Sequence, residues 1–116
     1  MKTKIFHNPR CSKSRIAADY LKENNIDHEI IEYLKDTPTI EELDNICTLL
    51  NVEPLELIRK KEKVFSELGL SAKDEKPRSE WLKLMIENPI LIERPIVITK
   101  DRAAIGRPLE NIIDIL

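Results

Sequence analysis

The strand-forming segments of this 116-residue chain sit at its two ends. Lys4-Ile5-Phe6-His7 reads as a short opening strand, and Glu29-Ile30-Ile31-Glu32-Tyr33-Leu34 as a second, rich in β-branched and aromatic residues. Ile96-Val97-Ile98-Thr99 is a third, and Arg102 to Gly106 pairs back onto it across a Lys100-Asp101 turn. The residues between these two groups carry helical spacing or turn chemistry. A single sheet must therefore be assembled from both ends of the chain, while the middle leaves and returns.

The helical segments are equally marked. From Ser12 to Asn24 the residues Ile16, Ala17, Tyr20 and Leu21 recur at helical spacing, with Ser12 placed to cap and Asn24-Asn25 to stop. Thr39-Ile40-Glu41-Glu42 is a capping box, followed by Ile40, Leu43, Ile46, Cys47 and Leu50 on one face. Pro54 suits the first residue of a helix running through Arg59. A short stretch through Val64, Phe65 and Leu68 stops at Gly69, and Glu80 to Glu87 stops at Asn88-Pro89. Ser71 to Arg78 is polar and reads as a surface loop. Leu109, Ile112, Ile113 and Leu116 give a last amphipathic helix. The order is β-α-β, a helical insertion, then β-β-α. It predicts an α/β, thioredoxin-like fold: one domain over residues 1–116 with a small mixed sheet and a helical subdomain inserted at about 38–90.

Composition narrows the class. Hydrophobic residues are 41%, charged residues 34%, and only two are Gly, which excludes collagen-like and disordered chains. The length supports a real core without a disulfide or metal staple. A net charge of −2 favours neither nucleic acid nor a membrane surface as partner. The longest apolar runs, such as Ile90–Ile92, are far too short to cross a bilayer. The opening Met1-Lys2-Thr3-Lys4-Ile5-Phe6-His7 lacks the extended apolar stretch of an export signal. With two cysteines, Cys11 and Cys47, the expected compartment is the reducing cytoplasm.

Cys11 lies at a strand-to-helix junction, where a helix N-terminus favours thiolate over thiol. Arg10, Lys13 and Arg15 add positive charge beside it. A merely buried cysteine needs no such neighbours. The same junction cradles an oxyanion, so nucleophile and anion site coincide. Cys47 falls on an apolar helix face and reads as core. The Cys-x-x-Cys redox pair is absent because position 14 is Ser14, so a resolving thiol is expected from another molecule.

Arg59, Arg94 and Arg107 stand out further along. Each alone is most often a solvated charge. Arg94 and Arg107 each precede a proline at an element boundary, where a side chain can enter a cleft. Planar guanidinium forks suit a tetrahedral oxyanion, although spacing alone does not make them converge. His7 either helps hold a thiolate or ends a strand. Two histidines without a second ligand type nearby suggest no zinc site.

His7-Asn8-Pro9-Arg10-Cys11-Ser12-Lys13-Ser14-Arg15 resembles the active-site segment of the glutaredoxin-coupled arsenate reductase family. The resemblance continues through Glu32-Tyr33-Leu34-Lys35-Asp36-Thr37-Pro38-Thr39, Leu57-Ile58-Arg59-Lys60, Glu67-Leu68-Gly69-Leu70, Asn88 to Val97 and Gly106-Arg107-Pro108, in order along the whole chain. It implies a thioredoxin-like fold with Arg94-Pro95 at the cis-proline position. It implies that Cys11 is the nucleophile forming a thiol–arsenate adduct, and that Arg59, Arg94 and Arg107 hold arsenate and arsenite. It implies that His7, Asn8, Ser14 and Arg15 support the thiolate loop. The partners implied are arsenate, glutathione as co-substrate and glutaredoxin, with no bound cofactor and no metal. Arg10 and Ser12-Lys13 depart from the smaller or less charged residues of well-known members, and the end at Leu116 suits a short branch.

Two other functions remain open. One is a glutathione-dependent thiol/disulfide oxidoreductase, which needs Cys11 but not all three arginines. The other is an RNA-polymerase-binding redox regulator of the same superfamily, whose Cys-x-x-Cys switch Cys11 and Ser14 cannot form. A phosphatase-type arsenate reductase requires an arginine six residues after its cysteine, and position 17 is Ala17.

Overall fold

The computed structural model describes residues 3–116. Met1 and Lys2, which belong to the segment read for an export signal, lie outside the described residues. The elements are β1 (Thr3–Phe6), α1 (Ser12–Glu23), β2 (His28–Ile31), α2 (Ile40–Leu50), α3 (Lys63–Glu67), α4 (Arg78–Glu87), β3 (Ile96–Ile98), β4 (Ala103–Ile105) and α5 (Glu110–Ile113), with 3-10 turns at Pro54–Leu57 and Pro89–Leu91. No helix among the described residues is long and apolar enough to cross a membrane.

The chain divides into two compact units. One ends at Asp36 and resumes as Arg94–Leu116; the other is Thr37–Glu93. The first holds the sheet, in the order β2-β1-β3-β4, with β1 parallel to β2 and antiparallel to β3, and β3 antiparallel to β4. This is the β-α-β, β-β-α arrangement of a thioredoxin-like fold.

The core of this unit follows from strand alternation and helical spacing. Ile5 and Val97 pair across β1 and β3 and pack with Ala104, with Ala17 and Leu21 of α1, and with Ile112 of α5. The next residue, Phe6, stacks its ring on Tyr33, with centroids 6.4 Å apart. Successive side chains of a strand point to opposite faces, so β1 is apolar on both.

Helix ends obey local chemistry. Asn25, Asn51 and Gly69 take left-handed φ values of 55°, 58° and 70° just past α1, α2 and α3. In each case the next N–H reaches back to a helix carbonyl: Ile26 to Leu21, Val52 to Cys47 and Leu70 to Phe65. Thr39 and Glu42 form the reciprocal capping box of α2, each side chain taking the other's backbone N–H at 3.1 Å.

In the helical unit, Arg78 at the start of α4 bonds Asp44 of α2 at 2.6 Å and lies 3.4 Å from Glu53. Cys47 is fully buried on α2. Burial pushes its thiol up to about 11, with Asp44 and Glu53 adding to the rise and Arg78 opposing it.

Three local expectations are corrected. The second strand stops at Ile31, not Leu34, because its partner β1 ends at Phe6; His7 N–H still reaches the Ile31 carbonyl at 2.9 Å, and a turn follows. The helix expected from Pro54 through Arg59 is a 3-10 turn ending at Leu57, since Ile58 becomes extended and bridges to Ile92. The cap of α1 is Cys11 and not Ser12, which is the first helical residue.

Candidate active site

The site is built by the loop joining β1 to α1 and by the residues flanking the β3–β4 hairpin. Asn8-Pro9 ends β1, and buried Asn8 then organises the loop three ways. Its Oδ1 accepts the Arg10 N–H at 3.0 Å, its carbonyl accepts the Cys11 N–H at 3.0 Å, and its own N–H donates to Ser14 Oγ at 3.0 Å. Arg15 closes the loop by donating to the Pro9 carbonyl at 2.9 Å.

Cys11 occupies the N-cap of α1 with extended backbone. An N-cap side chain faces the N–H groups of the second and third helical residues, here Lys13 and Ser14. The sulfur makes no capping hydrogen bond of ordinary geometry, yet both N–H groups lie close enough to stabilise its anion. Burial pulls the thiol pKa up. The Ser14 N–H, the Arg94 side chain, the Arg107 charge and the Lys13 N–H together outweigh it, and the pKa falls below the ordinary thiol value. The charge of the thiolate thus stands where the helix best tolerates an anion.

The two arginines arrive from the other end of the chain by strand register. Ile96 pairs with Ile105 in the β3–β4 ladder, so Arg94 and Arg107 lie opposite each other just beyond it. Arg107 Nε donates to the Arg94 carbonyl at 2.7 Å, and Arg107 Nη2 donates to Cys11 Sγ at 3.1 Å. Arg94 also hydrogen-bonds the thiol through its side chain. The peptide bonds Arg94-Pro95 and Arg107-Pro108 are both cis. Gly106 permits this approach: a Cβ there would meet Pro95 Cγ at 2.7 Å and collide with Ile112 Cδ1. Its N–H donates to the Pro95 carbonyl at 2.9 Å.

His7 and Ser14 lie behind the loop. Ser14 Oγ is 2.6 Å from His7 Nδ1. Burial pushes His7 below its ordinary value, against the opposing pull of the Glu32 carboxylate. A neutral imidazole accepts the Ser14 hydroxyl proton while that hydroxyl accepts the Asn8 N–H. The Ser14 side chain therefore braces the loop, and its backbone N–H serves the sulfur. Arg59 belongs to the helical unit, where it pairs with Glu62 at 2.9 Å and Glu93 at 3.5 Å.

The residues brought together are thus Cys11, Arg94 and Arg107, with His7, Asn8, Ser14 and Arg15 supporting the loop. Two contributors were not singled out from sequence: the backbone N–H of Lys13 and the missing side chain of Gly106. The signal for the second was available, since Gly106 is one of only two glycines and immediately precedes Arg107-Pro108. Chemically, the arrangement offers an activated sulfur nucleophile and two guanidinium groups at one point, with no His/Cys/Asp/Glu group able to hold a metal among the described residues.

Comparison with known proteins finds relatives that span nearly the whole chain. The chain is 42% identical over 114 residues to an arsenate reductase of Neisseria meningitidis, covering 97% of each chain. It is 38% identical over 113 residues to an arsenate reductase of Haemophilus influenzae, again covering 97% of each. The solved structure of an arsenate reductase from Vibrio cholerae superposes with a TM-score of 0.93 at 38% identity, covering 100% of this chain and 98% of that one. The family model described as the ArsC family matches residues 6–115, and on this match and these relatives the chain belongs to the ArsC family.

Proposed function

We propose that this protein is an arsenate reductase that uses Cys11 as its nucleophile and glutathione with glutaredoxin as its reductants. The observation that carries the reading is the Arg107 Nη2 to Cys11 Sγ contact at 3.1 Å, made while Arg94 bonds the same sulfur. The thiolate attacks arsenic, a sulfur–arsenic bond forms, and an arsenate hydroxyl takes a proton from solvent and leaves as water as its arsenic–oxygen bond breaks. Glutathione sulfur then attacks Cys11 sulfur. The sulfur–arsenic bond breaks with its electron pair staying on arsenic, which leaves as arsenite, and a Cys11–glutathione disulfide remains. Glutaredoxin reduces that disulfide and restores the thiolate.

Each step uses a feature of the site. The lowered thiol pKa raises the share of Cys11 present as thiolate, the attacking form. Arg94 and Arg107 are aimed at the place where oxyanion charge accumulates, so little reorganisation is needed as the adduct forms. Both can fork onto two oxygens at once, which lysine cannot do. Arg59, for which the resemblance implies an oxyanion-holding role, is paired with Glu62 and Glu93 within the helical unit. The relatives named arsenate reductase support the substrate. The absence of a Cys-x-x-Cys pair supports an external thiol, and a glutathione-dependent reaction fits the reducing cytoplasm expected from the two free cysteines.

The test is NADPH consumption with arsenate, glutathione, glutaredoxin and glutathione reductase, comparing the protein with Cys11→Ser. Turnover that requires both arsenate and Cys11 is the expected result. No turnover with arsenate, together with Cys11-dependent NADPH consumption when a mixed disulfide of glutathione replaces arsenate, would instead identify a general disulfide exchanger.

A further inference from the structure

We infer that Arg10 and Lys13 form a docking pair for the carboxylates of a thiol or disulfide co-substrate that exchanges with Cys11. The inference rests on the reading of Cys11 as the nucleophile of a thiol-dependent enzyme. Cations near the sulfur divide into two groups. Arg107 and Arg94 are committed to the sulfur and Arg15 to the Pro9 carbonyl. Arg10 and Lys13 are exposed, and their side chains form no hydrogen bond or ion pair with any described residue. They bracket the nucleophile, Arg10 just before the N-cap and Lys13 at the second helical position.

The fold itself gives no reason for these charges. A helix N-terminus favours anions, yet the first turn of α1 contains no acidic residue and does contain Lys13. The chain as a whole is net negative, so this is not a sample of a generally basic surface. Two cations placed against the helix field, unpaired and beside a reactive sulfur, suit a ligand that brings negative charge with its own sulfur. Arginine receives a carboxylate on its fork and lysine receives one as a point charge. In the exchange, the Cys11 thiolate attacks one sulfur of a disulfide. The sulfur–sulfur bond breaks, a mixed disulfide to Cys11 forms, and the other half leaves as a thiolate carrying the electron pair.

The experiment uses two disulfide reagents on the reduced protein. Ellman's reagent carries a carboxylate on each ring, while dipyridyl disulfide is neutral. Cys11→Ser identifies the part of each reaction due to Cys11. In Arg10→Ala/Lys13→Ala the ratio of the Ellman rate constant to the dipyridyl rate constant falls about five-fold or more, as loss of local electrostatic attraction requires. In Arg10→Glu/Lys13→Glu it falls further. Added salt lowers the ratio steeply in the parent protein and weakly in the double alanine variant. An unchanged ratio with unchanged salt dependence would overturn the inference. Because the neutral reagent reports the state of the thiol in each variant, altered folding or ionisation cancels. Arsenate does not enter the measurement, so a protein without arsenate turnover but with the ratio effect would keep the docking pair and lose only the arsenate reading.

Discussion

Arg107 acts through two donors that lie in one plane. Its Nε holds the Arg94 carbonyl and its Nη2 holds the Cys11 sulfur, so the guanidinium is clamped across the site and not merely attracted to it. Lysine preserves the charge but has a single nitrogen and cannot span both acceptors. Arg107→Lys should therefore lower arsenate turnover by about ten-fold or more, the effect of losing a charge-assisted hydrogen bond of roughly 1.5–3 kcal/mol. Steady-state assays at saturating glutathione check this, and a variant with parental turnover would show that charge alone suffices. Cys47 provides the contrast within the same chain. Fully buried and with its thiol pushed up to about 11, it is a core residue whose shift runs opposite to that of Cys11.

Strand register is the element that gathers the site. The β3–β4 hairpin sets Arg94 opposite Arg107, and β1 beside β3 delivers the Cys11 loop to the same end of the sheet. Gly106 lets the hairpin close against α5 and Pro95. Gly106→Ala would drive a methyl into Ile112 and Pro95 and should destabilise the fold by about 1–3 kcal/mol, the usual cost of overpacking. Urea denaturation measures this directly. In the helical unit, Thr39→Ala should cost about 1 kcal/mol by removing the hydroxyl that caps α2, in a urea experiment of the same kind. Much of this was legible in the residues. The capping box, the Lys100-Asp101 turn and the Cys11 junction each have local chemistry. A hairpin centred on that turn already sets Arg94 against Arg107. What stayed hidden depends on partners elsewhere in the chain. Nothing near Leu34 says that β1 will end at Phe6, and nothing near Arg59 says that Ile58 will bridge to Ile92.

At the scale of the molecule, the anionic sulfur couples to folding. Folding lowers the Cys11 pKa from 9.0, so the ionised thiol favours the native state. The sign follows directly. This stabilisation is fully present above the unfolded pKa and is lost as pH falls through the folded pKa. Cys11→Ser carries none of it, so the urea midpoint difference between parent and variant should shift in the variant's favour as pH is lowered across that window. A difference that does not change with pH would mean that Cys11 is not stabilised as an anion. In the proposed reaction the substrate oxyanion binds where this anion stands. That coincidence is tested most directly by the rate of Cys11 alkylation by iodoacetamide at neutral pH, measured against increasing arsenate with sulfate as control. Arsenate should slow alkylation in a saturable way, sulfate should do so far less, and Arg107→Ala should lose the protection. An alkylation rate indifferent to arsenate at every concentration would contradict it.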